Sequence, residues 1–185
     1  MPAALHDPVI RPLQAADLPA YKTLRDGMLA AHPQAFTSDA ATELKRDADS
    51  YRNRLSGGGD GANLFTLCAW AGPNMVGAIS CEHAARVKVR HIAQIVGMMV
   101  SNELHGQGLG RQLLERALTL LQGEPVLELV TLNVTSSNTR AIRLYEGCGF
   151  RRYGRLEGAI KLPDGQMLDK DLMCRRLREN KQNSP

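Results

Sequence analysis

Three glycines, Gly106, Gly108 and Gly110, lie in a short loop between an apolar segment that ends at Val100 and a segment with leucines at helical spacing. Glycine lets the backbone approach a ligand closely, and the first N–H groups of a helix have no partner within it. The helix dipole adds roughly +0.5 charge at the same end. The sequence therefore predicts a site for a phosphate-bearing ligand, with Arg111 in the first helical turn beside it.

A second candidate for chemistry is the pair Asn138 and Tyr145. The two residues are seven positions apart, which is two helical turns, so both project from one helix face. Asn138 can cap the helix while contacting a ligand, and Tyr145 can present a phenol to it. An ordinary helix cap and a half-buried core tyrosine are the alternative interpretation. The glycine-rich loop upstream favours the ligand interpretation.

Together these segments resemble the GNAT superfamily of acetyl-CoA-dependent N-acetyltransferases. The resemblance spans most of the chain and is strongest in Gln107-Gly-Leu-Gly110 and in residues 138–150, with their Ala-x-x-Leu-Tyr-Glu-x-x-Gly-Phe pattern. The opening Ile10-Arg-Pro-Leu13 is typical but less specific. The resemblance implies an α/β fold with a mixed, mostly antiparallel central sheet flanked by helices. It also implies transfer of an acetyl group from acetyl-CoA to an amine of a small molecule or protein.

The resemblance also assigns roles to residues. In the family, backbone N–H groups of the glycine loop hold the coenzyme A pyrophosphate, and the strand before the loop splays from its neighbour and pairs with pantetheine. Asn138 would lie near the pantetheine arm, and Tyr145 would protonate the departing thiolate, because a phenol of pKa ~10 keeps its proton at neutral pH. Backbone N–H groups of the splayed strand would stabilise the developing oxyanion. The implied cofactor-binding residues are Met98, Met99, Val100, His105, Gly106, Gln107, Gly108, Leu109, Gly110, Arg111 and Asn138.

Two positions depart from the family pattern. His105 stands where Gln or Arg is usual, so cofactor affinity is expected to depend on pH near the ordinary histidine pKa of ~6.5. Asn133 stands where some protein N-terminal acetylases of the family have a catalytic Glu, and an amide cannot accept a proton.

The reaction still needs a proton acceptor. An amine of pKa ~10.4 is protonated at neutral pH and must lose a proton before it attacks a thioester. Glu82, His83, Glu103 and a water chain are the candidates, and the sequence does not choose among them.

Two other functions compete with acetyl transfer. Glu128 follows the glycines by about twenty residues, as in dinucleotide sites, but five residues separate Val100 from Gly106 where that fold needs a tight turn. A non-catalytic acetyl-CoA-binding sensor or scaffold is the other alternative, and Tyr145 argues against it.

The elements that must position these residues alternate between strands and helices. We expect helices near residues 17–29, 40–55 and 108–122 and from Asn138 to Gly147. Strands are expected at 10–13, 64–70, 75–81, 92–100 and 127–134, followed by two closing strands that meet at Pro163-Asp-Gly165. Arg86, Lys88 and Arg90 indicate a solvated strand edge or a patch for an anion. The acids Glu157, Asp164, Asp169 and Asp171 indicate a solvated hairpin or attraction for a cationic amine.

Composition bounds these expectations. The 185 residues carry a net charge of +4 and 4% aromatics; the cations are dispersed and stacking side chains are few, which argues against nucleic acid. No apolar run reaches the ~20 residues of a membrane span, and no secretory signal begins the chain. We therefore expect a cytoplasmic domain over 1–178 with a loose tail at 179–185. The cysteines should be reduced and bind no metal; the family resemblance makes a homodimer plausible.

Overall fold

The described elements are arranged around a seven-stranded sheet. The computed structural model describes residues 8–57, 63–83 and 86–178, and the predicted tail at 179–185 lies outside them. The strands are β1 (Val9–Pro12), β2 (Asn63–Ala71), β3 (Asn74–His83), β4 (Ile92–Val100), β5 (Leu129–Thr135), β6 (Arg151–Lys161) and β7 (Met167–Arg176). The helices are α1 (Leu18–Ala31), α2 (Ala40–Leu44), α3 (Leu109–Gly123) and α4 (Thr139–Gly147).

The strand order is β1-β2-β3-β4-β5-β7-β6. Among the described strands, five neighbouring pairs are antiparallel and only β4 with β5 is parallel. A parallel pair needs a long crossover, which α3 provides. The mixed, mostly antiparallel sheet expected from the sequence is confirmed.

The parallel strands β4 and β5 diverge after a short contact. They pair at Ile92–Leu129, Ala93–Val130 and Gln94–Thr131. Further along, Gly97 has φ +66°, and β4 carries an extra residue between its pairs with Ser80 and Ala78. This is a β-bulge, which bends the bulged strand. Beyond Gln94 the two strands therefore leave a wedge-shaped gap.

Hydrophobic clusters cover both faces of the sheet. One cluster contains the apolar stripe of α3, including Leu113 and Leu121, together with Phe150 after α4. The other packs α1 and the 3₁₀ helix Ala48–Arg54 against the opposite face. Because side chains alternate along a strand, β2 and β3 contribute to both clusters. The helices are thus fixed on opposite sides of the wedge between β4 and β5.

The helix expected over 40–55 is wrong as a single element. The chain forms α2 and then the 3₁₀ helix Ala48–Arg54. Asp39 accepts the N–H of Thr42 at 2.8 Å, and Asp47 accepts the N–H of Ser50 at 2.8 Å. A second N-cap inside the segment begins a second helix, because the aspartate satisfies backbone donors that a continuous helix would bond to carbonyls. Part of the glycine cluster after this segment, residues 58–61, lies outside the described chain.

Two charged segments also differ from expectation. Residues 86–90 form the exposed 3₁₀ helix Val87–Val89 instead of a strand edge. Asp171, expected on a solvated hairpin, is buried, because Arg155 Nε donates to its Oδ1 at 2.8 Å and Ser136 Oγ donates to the same oxygen at 2.9 Å. A buried carboxylate is tolerated when donors surround it.

The four cysteines are buried and form no disulfide. In the described parts of the chain, no helix is long and apolar enough to cross a bilayer.

Candidate active site

A cavity of about 730 Å³ opens where β4 and β5 diverge. It reaches from the glycine loop, residues 105–110, to the segment 35–38 after α1. The structure brings together on its walls most of the residues singled out from sequence: Met98, Met99, Val100, His105, Gly106, Gly108, Gly110, Arg111, Asn138 and Tyr145. Gln107 and Leu109 do not line it. The Gln107 side chain donates to the carbonyl of Glu103 at 2.8 Å, and Leu109 is buried in the core.

The loop glycines serve two different purposes. Gly106 and Gly108 have φ +81° and +86°, and a Cβ placed on either would meet no atom within 4 Å. Gly108 is the N-cap of α3 and no side chain caps the helix there, so the orphan N–H groups are open to a ligand. Gly110 instead allows close packing, because its Cβ would lie 3.3 Å from Met98 Cε and 3.4 Å from Leu144 Cδ2. The open backbone N–H groups at the start of α3 are therefore suited to bind a pyrophosphate.

Arg111 has protein partners of its own. Its Nη1 donates to Glu115 Oε1 at 3.1 Å and to the carbonyl of Gly147 at 3.4 Å. These contacts join α3 to the end of α4 across the cavity rim. These contacts explain why a cation is present in the first turn of the helix without a ligand. Arg111 nevertheless lies at the rim, where a phosphate would enter.

His105 is tied to the end of β4. Its Nε2 lies 2.8 Å from the carbonyl of Val100, and a carbonyl only accepts, so Nε2 carries the proton. Burial lowers the pKa of the imidazole, and the nearby Arg140 and His32 lower it further. The ring is consequently neutral at pH 7, and its protonation belongs to more acidic conditions than the sequence suggested.

Tyr145 and Asn138 occupy the same helix face, as their spacing predicts. Tyr145 is buried, its hydroxyl lies 3.8 Å from Met98 Sδ, and burial raises its pKa to about 12. Thioether sulfur is a weak acceptor, so the phenol keeps a proton that it can redirect to a stronger acceptor. Asn138 Oδ1 accepts the N–H of Ala141 at 3.1 Å. Its predicted capping role is confirmed, and its side chain also lines the cavity.

None of the three side chains considered as a base lines this cavity. Glu82 Oε1 accepts from Arg54 Nη1 at 2.5 Å, and His83 and Glu103 are not among the lining residues. Among the described residues that line the cavity there is no Asp or Glu, and Asn133 is one of them. The structure therefore does not bring any of the three candidate side chains to the cavity wall, and the water chain stays a prediction.

Three cationic residues that line the cavity away from the glycine loop were not identified from the sequence. Arg25 lies on α1 among Tyr21, Leu24 and Met28, where an arginine on an apolar face is the available signal for a buried ion pair. Its Nε donates to Glu43 Oε2 at 3.2 Å and its Nη2 to Ser38 Oγ at 2.9 Å. Arg54 and Lys170 line the same cavity. Nothing in their local sequence marked them.

The described residues contain no group of three or more His, Cys, Asp or Glu side chains able to hold a metal ion.

A divergent parallel strand pair, a glycine loop and an uncapped helix N-terminus surround one cavity, as the family resemblance implies. Residues 25–150 match the model of the Acetyltransferase (GNAT) family. The chain belongs to this family, which confirms the resemblance drawn from its motifs.

Particular relatives extend the comparison. Mycothiol acetyltransferase of Salinispora arenicola is 30% identical over 161 residues, covering 80% of this chain and 51% of the relative. The chain thus spans about half the length of that relative. A GNAT acetyltransferase from Streptococcus pneumoniae has a similar fold, with TM-score 0.78, 22% identity and coverage of 92% and 99% of the two chains. So does yncA from Salmonella typhimurium, solved with its cofactor acetyl-CoA, with TM-score 0.71, 19% identity and coverage of 97% and 99%.

Proposed function

We propose that this protein transfers the acetyl group of acetyl-CoA to a primary amine of a small molecule or protein, by direct attack in a ternary complex. The observation that carries the proposal is a single cavity that joins the open N-terminus of α3, the gap between β4 and β5, and the phenol of Tyr145. Family membership and a structural neighbour solved with acetyl-CoA support the same cofactor.

Different residues would bind different parts of acetyl-CoA, which supplies an activated thioester. Backbone N–H groups of Gly106, Gly108 and the start of α3 would hold its pyrophosphate, and the edge of β4 at residues 98–100 would bind the pantetheine and stabilise the oxyanion. Asn138 would lie beside the pantetheine arm. These contacts use the wedge side of β4, which β5 does not cover beyond Gln94.

The proton steps follow from the side chains present. The protonated amine first loses one proton to water. Its nitrogen then forms a bond to the carbonyl carbon, the carbon–sulfur bond breaks, and Tyr145 donates its proton to the departing thiolate. The second amine proton leaves through water, and a proton from water restores the Tyr145 phenol. Burial holds the Tyr145 pKa at about 12, so the phenol remains protonated until that point. An acyl-cysteine route is not favoured, because Cys148 lies outside this cavity and burial raises the pKa of its thiol.

Substitution of Tyr145 by Phe tests the catalytic role. We expect kcat to fall by about 10²-fold, within the range typical of general acid catalysis, while the Kd for acetyl-CoA stays within about threefold. Calorimetric titration measures the Kd, and thiol release in an amine screen measures kcat. Tyr153→Phe is the matched control, because Tyr153 is 58% exposed on β6. Unchanged turnover in Tyr145→Phe would remove Tyr145 from the mechanism.

The same titration separates acetyl transfer from the two competing functions. Binding of NAD in preference to acetyl-CoA would replace the proposal with a dinucleotide site. Acetyl-CoA binding without thiol release across the amine screen would leave a sensor or scaffold. Cytoplasmic location and homodimer formation stay predictions, the first from the sequence and the second from the family.

A further inference from the structure

The far wall of the cavity lies on the sheet face that α1 covers. Ala93 and Ile95 pack in the cluster beneath α3, so Gln94 between them faces the other side. Leu132 and Val134 place Asn133 on that same side by the same argument. We call the described residues Arg25, Arg54, Gln94, Asn133 and Lys170 the acceptor wall, because they line the cavity away from the glycine loop.

Lys170 joins this wall through the register of β7. It pairs with Thr135 of β5, and directly opposed residues share a face. The Thr135 hydroxyl donates to the carbonyl of Gln34, in the segment after α1, at 2.7 Å. Met173, three positions further along β7, packs in the α3 cluster on the opposite face. Lys170 is thus directed to the side where an acceptor would meet the acetyl group.

The charges on the acceptor wall are all positive. Arg25, Arg54 and Lys170 line it, and no described acid lines any part of the cavity. Glu43 and Glu82 do not line the cavity, and each is bonded to one of the two arginines. Each pairing offsets much of the charge of its arginine.

Lys170 is the exception among these cations. It is half-buried, and its side chain makes no hydrogen bond or ion pair with another described residue. Burial lowers its pKa, with no charged neighbour contributing. Lys22, by contrast, is paired with Asp26. A partly desolvated ammonium without a partner is costly, and in a cleft it marks a place for an anion.

We infer that the acceptor is a small amine that also carries an oxyanion, a carboxylate or a phosphonate, which Lys170 binds. The inference rests on the proposed function. Polycationic amines such as spermidine or kanamycin would place several ammonium groups against this wall, where like charges repel. An amine with one oxyanion has no such excess of positive charge, and its anion would satisfy Lys170.

Pairs of amines that differ only in the anion provide the test. L-amino acids are compared with the amines formed by their decarboxylation, and 3-aminopropylphosphonate with propylamine, by thiol release at saturating acetyl-CoA. We expect kcat/KM to favour the oxyanion-bearing member by at least about tenfold, the effect of one charge-assisted hydrogen bond. The carboxylate and phosphonate arms show which oxyanion is preferred.

Lys170→Gln should reduce that preference to near unity, acting through KM for the acid-bearing amine. Lys161→Gln, an exposed lysine on β6, is the matched control and should keep the preference. Faster turnover of spermidine or kanamycin by the unmodified protein would overturn the inference, as would a preference that survives in Lys170→Gln. Acetyl-CoA binding without any preference defeats this inference alone, whereas failure to bind acetyl-CoA defeats the proposed function and the inference with it.

Discussion

His105 gives the cofactor site a specific pH dependence. Burial lowers the pKa of the imidazole, so it is neutral at pH 7 and gains a proton below about 6.5. A protonated ring would add positive charge beside a bound pyrophosphate. We expect the ratio of acetyl-CoA Kd values for His105→Gln and the unmodified protein to be constant above about pH 7 and to rise as pH falls below about 6.

Calorimetric titrations from about pH 5.5 to 8 measure this ratio, which cancels the titration of the cofactor's own phosphates. In the absence of ligand, acid has the opposite effect and lowers the stability of the folded protein. The lowered pKa of His105 means that the unfolded chain binds the proton more readily, so stability present above about 6.5 is lost as pH falls. A Kd ratio that stays flat over the whole range would show that the imidazole charge does not reach the ligand.

Single residues differ in how far their sequence neighbours reveal them. Asn138 and Tyr145 are recognisable because both lie on one helix, where a spacing of seven fixes their common face. Lys170 gives no such signal, because the cavity that it lines is formed by strands and helices far away in sequence. Asp171 was misread as solvated because its partners Arg155 and Ser136 come from other elements.

At the scale of elements, the turn into α3 depends on the positive φ of Gly108. Gly108→Ala should cost about 1–2 kcal/mol of stability, because a side chain destabilises the left-handed conformation, and it should also weaken acetyl-CoA binding by shifting the first N–H groups of α3. Thermal unfolding and calorimetric titration measure the two effects. Gly72→Ala is a matched control, because Gly72 also has a positive φ, +57°, in open space, but lies in the β2–β3 turn.

Both variants should lose similar stability, and only Gly108→Ala should lose affinity. Equal affinity in the two variants would mean that the glycine loop does not hold the ligand.

Element boundaries show the same contrast between local and distant causes. The sequence places α3 within one residue of its observed start, because the glycines precede a clear leucine stripe. It fails to separate α2 from the 3₁₀ helix at Ala48–Arg54, because Asp47 looks like any exposed polar residue until its cap is seen. The bulge at Gly97 is also hidden in an apolar run, and its effect on strand pairing requires the neighbouring strand.

At the scale of the whole molecule, the two hydrophobic clusters are not independent. On β2, Leu67 belongs to one cluster and Cys68 to the other, and on β3, Ile79 and Ala78 divide in the same way. Loss of either cluster would expose the back of strands that the other needs. We therefore expect one cooperative unfolding transition, with the calorimetric enthalpy equal to the van't Hoff enthalpy. Two resolved transitions would contradict the prediction of a single domain.

The place of β7 in the sheet has a consequence for synthesis of the protein. β7 is the last described strand in the chain, yet it lies between β5 and β6 and pairs with both. While β7 is still inside the ribosome, the nascent sheet ends at β5, whose outer edge is unpaired, and β6 has no neighbouring strand to pair with. The amine-facing side of the cavity is also incomplete then, because Lys170 has not emerged. An arrested chain ending before Met167 should accordingly remain sensitive to protease, and native resistance should arise only after β7 leaves the exit tunnel.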